Sequence, residues 1–416
     1  MLSYQETLQA IHNHKANGRR PDFKRFNWIL DKLGRPQAGF PSLHIVGTNG
    51  KGSITALLQA IFTTAGYKTG TFTSPFITRF NERIAIDGQP ISDHDLVETF
   101  DLIKPWLEEV AKTEFGRLTE FELVTLLAFV YFARIQPVDM AIIEAGIGGR
   151  FDATNVINPL ATICTSIGYD HTDTLGERLA DIAWQKAGAI KQGKPIILGQ
   201  IPAEAQTVFE NEAKKLGAAL YQAGCDFQVK DREDSFDFMS PQGNLENLSL
   251  SLMGPHQRDN AALALETALL LQAVFPKLDE EAFRIGLQTA TWPGRGELIK
   301  PNILLDGAHN PQGIGALLEL LETDFPNSSK HLLFAGLKRK DLAGMLELLD
   351  GQDLTVTSFD FPGAAELADY PDYFKKIEDF RDWLSQTQDS QALYVVTGSL
   401  YFISQVRHFL LDKETP

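Results

Sequence analysis

With 54 acidic against 38 basic side chains over 416 residues, the chain carries a formal net charge of -16. That balance argues against nucleic-acid partners, which need basic surface to offset phosphate charge, so an anionic ligand must meet a local positive site. The 44% hydrophobic content is ordinary for a globular protein with room for two cores, and Cys164 and Cys225 alone supply neither a disulfide framework nor a cysteine metal cluster. The N-terminus lacks the charged-then-apolar pattern of a secretion signal, and no apolar run approaches the length that spans a bilayer. A cytoplasmic protein without membrane association is expected.

In chain order, residues 1–40 read as a helical lead-in, with Phe26, Ile29 and Leu30 on one face and Gly34 and Pro36 ending it. Residues 42–46 are a short buried strand and 47–53 a glycine-rich turn. Residues 54–65 are a helix, because Ile54, Leu57, Leu58 and Ile61 recur three and four apart. A second strand at 68–73 is closed by Ser74-Pro75-Phe76. A loop with a small hairpin turning at Asp87-Gly88 follows. Helices are predicted over 93–112 and, behind a cap at 119–122, over 123–134. Strands at 140–144, 161–166 and 195–198 then alternate with helices at 179–190 and 202–216. This is an α/β pattern: a mostly parallel sheet flanked by helices, with ligands beyond the carboxyl ends of its strands. Over 225–255 the rhythm changes. Leu248, Leu250 and Leu252 share one face, which reads as a half-buried antiparallel strand. Helices at 258–275 and 279–290 complete this part. Pro and Gly cluster in Thr291-Trp292-Pro293-Gly294-Arg295-Gly296 and mark a boundary. It divides a domain at 1–293 from a smaller α/β domain at 294–416, with strands at 303–306, 331–334, 354–357 and 393–397 and a closing helix at 400–411.

The strand, loop and helix of 42–65 form a candidate phosphate site. Gly47, Thr48, Asn49, Gly50 and Gly52 let backbone N–H groups close around oxygens, and the helix N-terminus adds partial positive charge. Lys51 can reach outer phosphates and Ser53 can offer its hydroxyl to magnesium. The spacing departs from the common phosphate loop, since Gly52 separates Lys51 from Ser53. A turn serving backbone geometry alone is the alternative, but it leaves Lys51 and Ser53 at the head of an apolar helix unexplained. Glu144 ends a strand before Ala145-Gly146-Ile147-Gly148-Gly149-Arg150; it is either a magnesium ligand or a cap for that loop. His171 follows the next strand as metal ligand, phosphate contact or surface residue. Ser53, Ser74, Glu144 and His171 converge only if their strands are neighbours in one sheet. Lys186 lies among apolar helix residues, where an ammonium is costly; it either snorkels to water or serves a ligand. In the second domain Asp306-Gly307-Ala308-His309-Asn310-Pro311 repeats the strand–loop–helix design without a lysine, making Asp306 and His309 candidates for nucleotide or second-substrate contacts. Arg295 at the joint could reach phosphate across a cleft. Each of these could instead be structural.

Together these motifs resemble the folylpolyglutamate synthase/dihydrofolate synthase family of the Mur-type amide ligases. The resemblance rests on Gly47-Thr48-Asn49-Gly50-Lys51-Gly52-Ser53, Thr73-Ser74-Pro75, Asn81-Glu82-Arg83 and the run from Glu144 to Asn155. It continues through Asp170-His171, Gln185-Lys186-Ala187-Gly188, His256-Gln257 with Asn260-Ala261, and the Asp306–Pro311 stretch. It covers nearly the whole chain and includes the inserted Gly52. The resemblance implies a P-loop-type ATP-binding domain with a folate-site loop, then a smaller Rossmann-like α/β domain. It implies that Lys51 and the loop amides hold ATP phosphates. Ser53, Ser74 and Glu144 would serve one magnesium ion, and Glu144 and His171 a second. Lys186 matches a lysine that carries a carbamate in the family and would join the metal set. Asn260 would contact adenine, Arg295 would meet phosphates, and Asp306 and His309 would contact nucleotide or order the closed site. Potassium is a further candidate cation.

The implied reaction joins L-glutamate to the γ-carboxylate of a reduced folyl(poly)glutamate through an acyl phosphate, by a monomer with ATP as co-substrate. Phe76 departs from a Ser-Pro-His form seen in many bifunctional members. Folylpolyglutamate synthase is therefore the main expectation, with use of dihydropteroate as the alternative. Two rivals are a ligase for another carboxylate, such as a muramyl peptide, and an ATP-binding regulatory protein without turnover. Asn81-Glu82-Arg83 and the Lys-Gly-Ser loop argue against the first, and the full set of candidate ligands against the second.

Overall fold

The computed structural model describes residues 2–14, 22–387 and 391–412. Met1 and residues 15–21 of the expected helical lead-in lie outside that description. The chain divides into two compact units. The first comprises Met1–Phe76, Asn81–Ser249 and Asp259–Ala290; the second comprises Ile77–Phe80, Leu250–Arg258 and Thr291–Pro416.

The first unit is built on β1 (Ser42–Val46), β2 (Thr69–Phe72), β3 (Ile84–Ile86), β4 (Gln89–Pro90), β5 (Met140–Glu144), β6 (Ala161–Cys164), β7 (Ile196–Leu198) and β8 (Leu220–Gln222). They form one sheet in the order β4-β3-β2-β5-β1-β6-β7-β8. From β2 to β8 all neighbours are parallel; β3 and β4 add an antiparallel edge through the Asp87-Gly88 turn. Every residue of β1 and β5 is buried, as expected of strands covered on both faces. The cap read at Thr119 is a full capping box with Glu122 and starts the Glu120–Val130 helix. The helix after β1 begins at Lys51, three residues before the predicted start, and runs to Thr64. Gly50 takes the left-handed conformation before it, so Lys51, Gly52 and Ser53 already form the first helical turn.

A three-stranded antiparallel sheet of β9 (Gln228–Asp231), β10 (Phe236–Ser240) and β11 (Gly243–Leu248) follows. It corrects the strand expected at 248–252. The pairing strand ends at Leu248, and its buried residues are Leu245 and Leu248. That spacing of three arises because the register shifts between Phe236 and Phe238, with Asn247 at φ 54°. A bulge breaks the alternation on which the sequence reading relied.

The second unit contains β12 (Glu297–Lys300), β13 (Ile303–Leu305), β14 (Lys330–Phe334), β15 (Asp353–Val356), β16 (Lys375–Lys376) and β17 (Leu393–Thr397), in the order β12-β13-β17-β14-β15-β16. β12 is antiparallel to β13 and the other pairs are parallel. The short edge strands β12 and β16 were not read from the sequence. Among the described residues, no helix is long and apolar enough to cross a membrane.

Candidate active site

β2, β5, β1 and β6 are consecutive, parallel neighbours. The segments after them therefore leave the sheet at one edge, carrying Ser74, Glu144, the Gly47 loop and His171. This adjacency meets the condition that the sequence left open. Glu144 pairs in register with Ile45, and Val46 with Cys164, so the strand ends are nearly level.

The loop conformation depends on two glycines. At Gly47 (φ 148°) a Cβ would lie 1.8 Å from Thr165 Oγ1, and at Gly50 (φ 87°) it would lie 2.6 Å from Asn260 Oδ1. Asn260 is thus placed against the loop. The residues after β6 hold the loop from the other side. Thr48 N–H donates to Ser166 O at 2.9 Å, Asn49 N–H donates to Ser166 Oγ at 3.0 Å, and the Thr165 and Ser166 hydroxyls donate to Asn49 O. Gly168 N–H donates to Thr48 Oγ1 at 3.1 Å. Sequence reasoning missed Thr165 and Ser166; their position at a strand's carboxyl end was the available signal.

Two ammonium groups converge on one carbonyl. Lys186 Nζ donates to Gly47 O at 2.7 Å, and Lys51 Nζ donates to Gly47 O and Thr48 O at 3.1 Å each. Lys51 Nζ also stands 4.0 Å from Glu144 Oε1, whose side chain is 5% exposed. Lys186 is buried and does not snorkel. Burial, and then the like charge of Lys51, bring its pKa down to about 7. Burial pushes the Cys164 thiol up to about 12, which removes it as a nucleophile. His171 begins the short Thr172–Leu175 helix with φ 51°, its Nε2 3.8 Å from Asp170 Oδ2. Ser53 is buried in the first turn after the loop, while Ser74 is half-buried.

The segment after Glu144 is fixed from behind. Gly146 and Ile147 N–H both donate to Asp152 Oδ2 at 3.1 Å. Arg150 turns away from the edge: its guanidinium lies 4.0 Å from the Trp184 ring centre and 3.4 Å from Glu212. Lys191 Nζ donates to Asn155 O and Oδ1 at 2.7 Å, and burial lowers its pKa to about 8. His44, inside β1, is fully buried with its pKa brought down to about 3 by burial. A histidine within the apolar run Leu43-His44-Ile45-Val46 was the one sign of it in the sequence.

In the second unit Arg295, Asp306 and His309 form a separate local cluster. Asp306 Oδ2 accepts from Gly296 N–H and its Oδ1 from Ala308 N–H, both at 2.9 Å. Arg295 Nη1 donates to Gly307 O at 3.0 Å, and His309 Nδ1 lies 2.7 Å from the same oxygen. Asn310 caps the Pro311–Asp324 helix through Gly313 N–H.

Comparison with known proteins identifies the lineage. Residues 45–268 match the Mur ligase middle domain. The chain is 39% identical over 97% of its length to the dihydrofolate synthase/folylpolyglutamate synthase of Bacillus subtilis, covering 98% of that protein. It is 35% identical to the folylpolyglutamate synthase of Lacticaseibacillus casei across the full length of both.

The chain belongs to the folylpolyglutamate synthase/dihydrofolate synthase family of Mur ligases.

The fold agrees. The Mycobacterium tuberculosis folylpolyglutamate synthase complexed with ADP and AMPPCP superposes with a TM-score of 0.88 at 31% identity, covering 98% of each chain. Membership makes this protein an ATP-dependent ligase with the two-domain α/β architecture of the family.

Proposed function

We propose that this chain adds L-glutamate both to dihydropteroate and to the γ-carboxylate of reduced folyl(poly)glutamates, cleaving ATP to ADP and phosphate. The observation that carries the reading is the convergence of Lys51 and Lys186 on Gly47 O beside buried Glu144. This positive focus sits in a chain that aligns almost end to end with a two-activity relative. The bifunctional alternative is therefore better supported than folylpolyglutamate synthesis alone. The monofunctional reading retains the support of the L. casei relative.

The loop Gly47 to Ser53 holds ATP phosphates on its amides and Lys51. The donor set fits a hard divalent cation: hydroxyls of Ser53 and Ser74, the Glu144 carboxylate and, for a second ion, the His171 ring. Bound magnesium would neutralise charge between ATP and the substrate carboxylate. Lys186 is suited to carbamate formation, because its free amine can attack carbon dioxide and lose a proton. The resulting carboxylate would join the metal set. Arg295, Asp306 and His309 serve the nucleotide, and Asn260 its adenine end. The protein acts as a monomer, and no residue is assigned to potassium.

In the reaction, the substrate carboxylate attacks the γ-phosphorus and ADP leaves. The glutamate amine then attacks the acyl phosphate carbonyl, forming the amide as phosphate departs. Lys51 stabilises charge moving onto the phosphate oxygens. The test is a purified-enzyme assay with labelled glutamate, comparing dihydropteroate with mono- and diglutamyl reduced folates. ADP formation dependent on glutamate and each acceptor is expected. No turnover with dihydropteroate would leave the monofunctional reading, and no turnover with any acceptor would overturn the proposal.

A further inference from the structure

The hydrogen bonds behind Glu144 have one consistent direction. Asp152 accepts throughout: Gly146 and Ile147 N–H reach Oδ2 at 3.1 Å, and Thr154 N–H reaches Oδ1 at 3.0 Å. The Thr154 hydroxyl gives its single proton to Asp152 Oδ1, at 2.6 Å. Its oxygen must then accept at its other contact, 2.8 Å from His44 Nε2. His44 is thereby fixed as the Nε2–H tautomer. The opposite ring nitrogen, Nδ1, is buried without a hydrogen-bond partner. An aliphatic side chain would suit that strand interior better, so the ring's place there rests on the bond made by Nε2. The far end of this chain of bonds is the Gly146-Ile147 backbone, just past Glu144. Ala145 N–H, between them, donates to Ile45 O on His44's own strand at 2.9 Å.

We propose that His44 is a positioning residue: through Thr154 and Asp152 it fixes the turn after Glu144, and so the direction in which that carboxylate meets the nucleotide's divalent cation. No proton moves and no bond changes in the relay. The inference rests on the ligase reading of Glu144, and its test separates the two.

The measurement is Mn²⁺ binding to the full chain with a non-hydrolysable ATP analogue, read by electron paramagnetic resonance, beside kinetics and thermal melting. His44→Leu and Thr154→Val are expected to weaken Mn²⁺ binding by about tenfold, the low end for partners behind a metal ligand. They should lower kcat while leaving KM for glutamate nearly unchanged. His44→Gln keeps a donor near the Nε2 position and Thr154→Ser keeps the hydroxyl; both should stay within about threefold of the parent. The relay is overturned if Thr154→Val, or a cooperatively melting His44→Leu, binds Mn²⁺ like the parent. It is also overturned if the conservative variants lose as much as the drastic ones while melting normally. Glu144→Gln is the control: parental Mn²⁺ binding there defeats the ligand role of Glu144, and the relay with it.

Discussion

Two loops of this protein share one design and differ in chemistry. Gly47–Ser53 follows β1 and Asp306–Pro311 follows β13, and each leads from a parallel strand into a helix. In the first, two lysines crowd one backbone carbonyl. In the second, Asp306 accepts two backbone N–H groups, and Arg295 and His309 close on Gly307 O. The first loop concentrates positive charge that an arriving anion would relieve; the second matches its charges to its own backbone. Topology sets where a ligand can approach, and the side chains decide what each loop can offer it.

The sharpest way to break the contrast is Lys51→Ala. Turnover is expected to fall about a thousandfold, roughly the 4 kcal/mol lost with a principal electrostatic group, as read by ADP release; an unchanged rate would remove the phosphate role. Lys186→Met should lower turnover about a hundredfold, an order-of-magnitude expectation for losing a group that orients the metal set. A parallel Lys186→Ala should recover part of its rate with a short carboxylic acid if a carbamate is the working group.

Lys186 also predicts a pH signature in the protein without nucleotide or carbon dioxide. Its folded pKa of about 7 lies below the unfolded lysine value, so between these the unfolded chain binds more protons. Stability from this group therefore rises with pH above about 7, by at most about 1.4 kcal/mol per unit, until the unfolded lysine itself titrates. Denaturant melts from pH 7 to 10 should show that rise in the parent and lose it in Lys186→Met. In the second loop, Asp306→Ala leaves two N–H groups without their acceptor and should destabilise that unit by about 2 kcal/mol. Asn310→Ala removes a helix cap and should cost about 1 kcal/mol in the same melts, with ATP affinity unchanged.

The difference between these loops was partly legible. The lysine in one and its absence from the other stand in the sequence, as do the strands, the cap at Thr119 and the order of the motifs. The convergence of Ser74, Glu144 and His171 on one edge was not, because it depends on β5 lying between β2 and β1, a pairing between segments far apart in the chain. The helix start was misplaced because apolar spacing begins at Ile54, whereas the helix is set by the backbone of Gly50. Periodicity also failed at β11, where a bulge at Asn247 puts Leu245 rather than Leu250 inside. His44 went unassigned because a single polar residue in an apolar strand says nothing of its partner until Thr154 is brought beside it.

The division of the chain has a consequence during synthesis. Ile77 lies early in the sequence, yet its side chain is buried in the second unit's core with Leu305, Val396, Phe402 and Ile403. At about 5–20 residues per second, a ribosome delivers those partners roughly 15–60 seconds after Ile77 emerges. β5 to β8 of the first unit's sheet are translated within that interval, after β1 and β2 have already been made. Ile77 is thus an early piece of a late core: a chain begun at Thr291 would lack the apolar plug that the nascent chain has carried from near its start.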